Sequence, residues 1–581
     1  MSHACAQPHY FGAADAPLFG WWHAAENPTG LAMVLCSPIG REEISAHRSL
    51  RHLAEMLVQR GVSTLRFDYA GTGDSCGSSL DADQLRACGD SLHHAIDEAR
   101  RLSGVSRVAL GGLRIGALLA TQAALARDDV AALLAMVPVV NGRTWIRELK
   151  AMQAAAATDP TQENDSIFES GGFAMSAKAR DAIGLLDLRT PERAPAPHIL
   201  ILDRDDLPTQ RPWADTLMAL GARVEHLNVP GYERLMLDPH RAELPIAMLQ
   251  AVCRWIAPLA EASAPAGPPE SLSLKTSATL PGLRETACRI PTDGGHLNAI
   301  ETAPLLAAAT GRAIILLNAG GTRRIGPGRL YVDMARRLAL QGHLVIRVDL
   351  MGLGDSLAAA GRAENIVYPD TAPREVESIV VHMRQHDDVR HCVGVGLCAG
   401  GYHAFKAAVM GAQFDTVVLI NPLTFFWHAD MPLDAPLPRH KVVSEMNRYQ
   451  RDLLSVDRFR KLLRGDVDLR RLARLLGKWL HFKLATPALE IARRLHISLH
   501  EDLAGEMALL ARRKVRMHFV FGADEPGPQL LATQGGRMVA KLQQAGSVEI
   551  RHFDSADHIF SRWADRQDLI ESLAESLAPR P

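Results

Sequence analysis

The segment RFDYAGTGDS at residues 66–75 returns as RVDLMGLGDS at 347–356, and the segments around it return in the same order. Upstream of each copy an apolar run ends in a loop, LAMVLCSPIGREE (31–43) and AIILLNAGGTRR (313–324). Downstream of each come a strand, a glycine-bracketed turn and an Ala-rich helix, VALGGLRIGALLATQAALA and VGVGLCAGGYHAFKAAVMGA. A later apolar strand then ends in acidic residues, HILILDRDD and MHFVFGADE. A repeat of this length is a whole domain rather than a solenoid unit. The expected organisation is a domain over 1–260, a linker at 261–282 and a second domain over 283–581. The linker EASAPAGPPESLSLKTSATLPG has the Ala, Pro and Ser content of a connecting segment.

Within each copy the strands are continuous apolar runs, the pattern of strands covered on both faces in a parallel sheet. RSLRHLAEMLVQRG (48–61) and LYVDMARRLALQG (330–342) read as crossover helices ending at a glycine. The expected fold class is α/β, with two doubly wound domains in tandem.

The turn Gly396-Leu397-Cys398-Ala399-Gly400 follows the strand of the second copy. A G-x-Nuc-x-G turn holds its central residue strained at the carboxyl end of a strand, so its neighbours must be small. The side chain then projects above the sheet, and the next N–H faces a developing oxyanion. Cys398 is therefore the candidate nucleophile. RVDLMGLGDS contains G-x-G, but no G-x-G-x-x-G opens a helix behind a first strand, so dinucleotide binding is not expected. No H-E-x-x-H and no paired His/Cys spacing appears, so no metal or other cofactor is expected.

Strand, elbow and helix, then an acid after a late strand and a histidine near the end, resemble the α/β-hydrolase superfamily in that order. GLCAGG is similar to the cysteine-bearing elbows of dienelactone hydrolases and polyhydroxyalkanoate synthases. NAGGTRRIGPGRLYVDMARRL and the tandem arrangement resemble hydrolase-like proteins of bacterial polysaccharide or natural-product clusters. The resemblance implies that His558, in FDSADHIFSRW, is the base. It implies Asp524, in VFGADEPG, as the acid, with Glu525, Asp554 and Asp557 as rivals. The oxyanion hole would use the Ala399 amide and amides of the Asn318-Ala319-Gly320-Gly321 loop, at Ala319 and Gly320. Such groups form a covalent acyl-cysteine, which can pass its acyl group to water, an alcohol or an amine. His403, on the helix after the elbow, reads as a packing residue.

The elbow of the first copy is Gly112-Leu113-Arg114-Ile115-Gly116, with arginine in the nucleophile's place. Arg234 falls opposite His558, and Asp205 or Asp206 opposite Asp524. The first copy is thus expected to be catalytically silent. It serves as a scaffold, or as an anion pocket formed by Arg114 and Arg234; alternatively Arg114 pairs with Asp205 or Asp206.

Residues 423–513 fall where the superfamily carries a helical cap. The apolar Phe425, Phe426 and Trp427 favour an acyl substrate with some hydrocarbon. Arg323, Arg324 and Arg329 stand beside the oxyanion loop, where they contact an acidic group of the substrate or pair with nearby acids. Residues 451–500 hold 12 Lys and Arg against 5 Asp and Glu. This reads as a solvated helix face, or as a docking surface for an acyl-carrier protein or coenzyme A.

The whole chain has 64 Lys and Arg against 65 Asp and Glu, which removes the electrostatic case for nucleic-acid binding. No apolar run reaches the ~18 residues of a membrane span. The N-terminus MSHACAQPHYFGAADAP lacks the charge and apolar core of a secretory leader. Eight scattered cysteines without a CxxC pair suit a reducing compartment, so a cytoplasmic location is expected. The reading that follows is a cysteine-dependent acyl hydrolase (thioesterase or esterase), with acyl transfer and non-catalytic binding as its rivals.

Overall fold

The computed structural model describes residues 6–156, 166–263, 273–429, 431, 433 and 501–578. Two large sheets carry the two halves. The first contains β1 (Gln7–Gly12), β2 (Pro17–His23), β3 (Ala32–Cys36), β4 (Ser63–Phe67), β5 (Val108–Leu113), β6 (Val130–Met136), β9 (His198–Arg204) and β10 (Arg223–Val229). A separate hairpin, β7 (Ile167–Ser170) and β8 (Phe173–Ser176), stands apart from it. The second sheet contains β11 (Ser277–Leu280), β12 (Leu283–Thr292), β13 (Gly295–Pro304), β14 (Arg312–Leu317), β15 (Leu344–Val348), β16 (His391–Leu397), β17 (Thr416–Ile420), β18 (Arg516–Phe521) and β19 (Val548–His552).

The spatial orders are β1-β2-β4-β3-β5-β6-β9-β10 and β11-β12-β13-β15-β14-β16-β17-β18-β19. Apart from the added β11, these are one order used twice. In each sheet an antiparallel pair leads into six parallel strands. The parallel strands are apolar on both faces because helices cover both: β3 and β14 are buried almost throughout. The first crossover helix starts earlier than its apolar stripe suggested, running Arg41–Val58, and its counterpart spans Leu330–Ala339. The stretch read as a linker is shorter than expected, since β11 pairs with β12 and Tyr10 N–H donates to Lys275 O at 2.7 Å. Of the expected cap, residues 434–500 lie outside the described residues, as does the basic stretch 451–500; Leu503–Arg512 is helical.

The repeated decapeptides meet each other. Arg66 of the first reaches Asp355 of the second at 2.9 Å, and Arg347 of the second pairs with Asp74 of the first. Arg324 lies between them, 2.7 Å from Asp74, 2.7 Å from Asp349 and 2.8 Å from Asp355. Its guanidinium also stands over Phe19 and Trp21 of the first half. In each copy the terminal serine caps its own turn, Ser75 Oγ to Asp68 O at 2.6 Å and Ser356 Oγ to Asp349 O at 2.7 Å. The contact is reciprocal, as in a two-fold dimer interface, but it is made within one chain. Tyr10, Phe19 and Trp21 pack with Ala287 and Ile300 beside it.

Candidate active site

Cys398 sits between β16 and the helix Ala399–Met410 with φ 55° and ψ −116°, a strained conformation for a non-glycine residue. Its glycine neighbours are there because the backbones touch. A Cβ on Gly396 would collide with Gly400, and one on Gly400 with Leu317 O. Cys398 N–H donates to Ile420 O at 2.8 Å, and Leu397 N–H donates to the Tyr331 hydroxyl at 2.9 Å. The first Ala399 N–H has no intrahelical partner by construction. The loop Ala319–Gly320 ends β14 next to it, and a Cβ on Gly320 would meet only open space.

His558 lies on the loop between β19 and the last helix, Trp563–Leu577. Its Nδ1 stands 3.1 and 3.0 Å from the two Glu525 oxygens, which leaves Nε2 for the sulfur. Burial alone would lower the His558 pKa, but hydrogen bonds with Cys398 and Glu525 and their charges outweigh it and bring it to about 10. The ring is thus within hydrogen-bonding reach of Cys398.

Strand order, a strained elbow residue and a late histidine backed by an acid now stand together. This is the α/β-hydrolase fold, built twice. Residues 40–162 match the family model described as serine aminopeptidase, S33, and that match falls on the half whose elbow residue is Arg114. No curated protein matches the chain. Solved structures similar to part of it include Est1E from Butyrivibrio proteoclasticus with ferulic acid bound (18% identity, 43% of this chain and 96% of that one, TM-score 0.34). A proline iminopeptidase-related protein from Thermus thermophilus (20%, 44% and 98%, TM-score 0.30) and the α/β hydrolase GrgF from Penicillium sp. (16%, 44% and 99%, TM-score 0.32) are others. Among the described residues no helix is long and apolar enough to cross a membrane.

Several site residues differ from expectation. The acid facing His558 in this α/β-hydrolase fold is Glu525, not Asp524. Asp524 has φ 55° and is exposed, so its short side chain leaves the site, while the longer Glu525 reaches back with its carboxylate almost buried. Asp557 instead accepts the Ser561 N–H at 2.7 Å, and Asp554 is exposed. Arg323 and Arg324 are not substrate contacts. Arg323 pairs with Glu43 and Asp68 of the first half at 2.8 and 2.9 Å, and Arg324 is consumed in the interface already described. Arg329 donates to the Gly73 and Gly77 carbonyls, both at 2.9 Å. Phe425 is a core residue, packed on Phe405 and Phe519. Trp427 does approach the site, through a ring stacked 4.3 Å from Tyr368.

The elbow of the first half holds a paired arginine. Arg114 takes the elbow geometry of Cys398 (φ 54°, ψ −122°), but its guanidinium pairs with Glu42 at 2.8 Å and with Glu148. It pairs with neither Asp205 nor Asp206; Asp206 binds Arg204, and Arg234 is exposed beside Glu243. Arg114 and Arg234 therefore do not converge on an anion pocket.

Two contributors escaped the sequence reading. Tyr368 places its hydroxyl within hydrogen-bonding reach of the Cys398 sulfur, and burial followed by the nearby sulfur charge pushes its pKa well up, so it stays a donor. His403 supports it from below by bonding Val367 O at 2.9 Å, in the packing role expected for it. Asn421, with φ 46° at the end of β17, donates to His558 O at 2.8 Å and accepts the Gly522 N–H at 2.7 Å. It ties the histidine loop to the acid loop; the matching residue of the first half is the apolar Val137, φ 43°. No motif marks either residue, because each acts through a fold-dependent contact.

The first half reaches this site as well. Glu169 accepts the Trp563 N–H at 2.5 Å and Gly172 O accepts from Arg566 at 3.0 Å, both just beyond His558. The His240 backbone lies so close to Gly321 that a Cβ there would stand 2.9 Å from the His240 main-chain nitrogen.

Proposed function

We propose that the C-terminal half is a cysteine-dependent acyl hydrolase, with Cys398 as nucleophile, His558 as base and Glu525 as the acid that orients it. The observation that supports this reading most is the Glu525–His558–Cys398 alignment on the one half whose elbow residue is nucleophilic. The proton shared between Cys398 and His558 sits on His558 Nε2, where the raised imidazole pKa holds it, and the sulfur attacks the acyl carbonyl carbon. The oxyanion faces the Ala399 N–H and the Ala319–Gly320 loop. Collapse expels the alcohol or thiol, which leaves with the proton from His558. Water, deprotonated by His558, then attacks the thioester, releasing the acid and restoring the thiol. The substrate is an acyl ester or thioester; a carrier-protein or coenzyme A thioester supplies such a group, and an alcohol or amine in place of water makes the same intermediate an acyl donor. The N-terminal half, with Arg114 at its elbow, does no chemistry and braces the histidine and oxyanion loops.

Exchanging the two adjacent acids tests the assignment. Glu525→Gln is expected to lower kcat by about 10³–10⁴-fold, the loss seen when a triad acid is neutralised. Asp524→Asn should leave turnover near wild type. The reverse ranking in steady-state assays with an activated ester would return the acid's role to Asp524. Tyr368→Phe removes a hydrogen bond to the sulfur that acts as a thiolate in the attack, about 1.5–3 kcal/mol, and should slow acylation by roughly 10–100-fold with little change in fold.

The His558 pKa of about 10 has a signed consequence. A group whose folded pKa is raised stabilises the fold fully below its unfolded value, about 6.5 for histidine, and this stabilisation is lost as pH rises through the folded value. The imidazolium needed to protonate the leaving group is lost over the same upper range. Activity should therefore fall on the alkaline side, and Glu525→Gln should move that limb to lower pH. NMR titration of the His558 ring checks this directly; an unshifted ring near 6.5 in the wild type would contradict it.

A further inference from the structure

On the second sheet, three and four strands from the elbow strand, β13 and β12 pair antiparallel with Cys288 opposite Ala299. Cys288 and Glu301 therefore project from one face as diagonal neighbours. The helix Ala372–Met383 covers that face and brings His382 in its last turn over both. The ligand atoms of Cys288, Glu301 and His382 all lie within 4.8 Å of one another. His382 Nε2 is 3.0 Å from one Glu301 oxygen, and His386 Nε2, from the turn after the helix, is 3.3 Å from the other. A single carboxylate thus faces two imidazoles and a thiol.

We propose that Cys288, Glu301 and His382 form a binding site for one zinc ion, completed by His386 when its ring turns from the second Glu301 oxygen onto the metal. One sulfur, one carboxylate oxygen and two imidazole nitrogens are the donors of tetrahedral zinc, whereas magnesium and calcium take oxygen shells. Binding would release the thiol proton and leave both histidines neutral. Zinc with one thiolate and one carboxylate then carries no net charge, which suits a half-buried position. Four protein donors leave no open position, the arrangement of a structural rather than a catalytic zinc. The ion would tie the β12–β13 hairpin to the end of the helix that covers it. A groove lined by Pro291, Thr292, Ser378, Val381, His382 and Gln385 opens beside the site and admits the ion from solvent. The four residues are scattered in sequence, so no ligand spacing announces them.

The test uses the full chain carrying Cys398→Ser, so that the elbow thiol does not compete for metal. After chelator treatment and desalting, zinc chloride is titrated by calorimetry, with metal content read by mass spectrometry and cobalt substitution read by its thiolate charge-transfer absorption. The expected result is one tight zinc per chain, a thiolate–cobalt band, and a raised melting temperature. Cys288→Ser and His382→Gln should each weaken binding at least tenfold, and Cys288→Ser should abolish the band. His386→Gln, at a more exposed position, provides a variant that keeps the fold if the others do not. Failure of the wild-type cluster to bind zinc, or binding equally strong in all three variants, would overturn the proposal.

Discussion

Cys398→Ala is expected to abolish covalent acylation and to lower turnover by on the order of 10⁴–10⁶-fold, because a triad nucleophile has no substitute once removed. The elbow strain supports so large an effect. A non-glycine residue held at φ 55° is costly, and the surrounding glycines, the Ile420 carbonyl and the Tyr331 hydroxyl all act to keep it there. Alanine preserves the geometry while removing the sulfur. Cys398→Ser is a sharper probe. Free cysteine has a pKa of about 8.5 and yields a thiolate with modest help, whereas a serine hydroxyl needs a far stronger base at the moment of attack. The serine variant should therefore retain only a small fraction of activity, even though the family model matching the first half is named for serine enzymes. Arg114→Ala in the other half should leave acylation intact. Near-wild-type turnover by Cys398→Ala would place the nucleophile elsewhere.

Asp74→Ala should destabilise the whole chain by about 3–5 kcal/mol, the usual cost of removing one partner from a buried ion network. Asp74 is fully buried and answers both Arg324 and Arg347, so its loss leaves Arg324 with Asp349 and Asp355, and Arg347 with Glu285, in a buried network one carboxylate short. Arg347→Met combined with Asp74→Ala should recover part of that cost, and the difference measures their coupling. Denaturant unfolding followed by fluorescence reads both. The pH dependence has a definite sign. Burial would raise the carboxyls of Asp74 and Asp355, but Arg324 and Arg347 hold the first, and His47 and Arg66 the second, well below the usual carboxylate range. Groups with depressed folded values stabilise the fold above the unfolded value, about 3.9 for aspartate, and this is lost as pH falls through the folded value. The two halves should stay joined at neutral pH and separate in acid. An Asp74→Ala chain as stable as wild type would remove the interface from the account.

The same interface explains what was legible in the sequence. Apolar strand runs, crossover helices and elbow glycines are local signals, and they marked the α/β fold and the position of Cys398. RFDYAGTGDS and RVDLMGLGDS were visible as a repeat, yet their purpose was not, because Arg66 finds Asp355 only after both sheets have formed. Arg323 and Arg324 follow the oxyanion loop in sequence, so proximity along the chain pointed toward substrate; their carboxylate partners include Glu43, Asp68 and Asp74 of the other half. Asp524 and Glu525 are adjacent, and the choice between them turned on one left-handed backbone residue. Phe425 followed the same pattern: an aromatic beside the expected cap, turned inward onto Phe405 and Phe519.

The most direct measurement is peptide-level mass spectrometry of the wild-type chain quenched in acid after brief exposure to a panel of acyl thioesters and activated esters. A single acyl group on the peptide containing Cys398, lengthened in lifetime by Glu525→Gln, is the predicted result. An acyl group on another residue, or a Cys398 that stays unmodified while substrate is consumed, would contradict it.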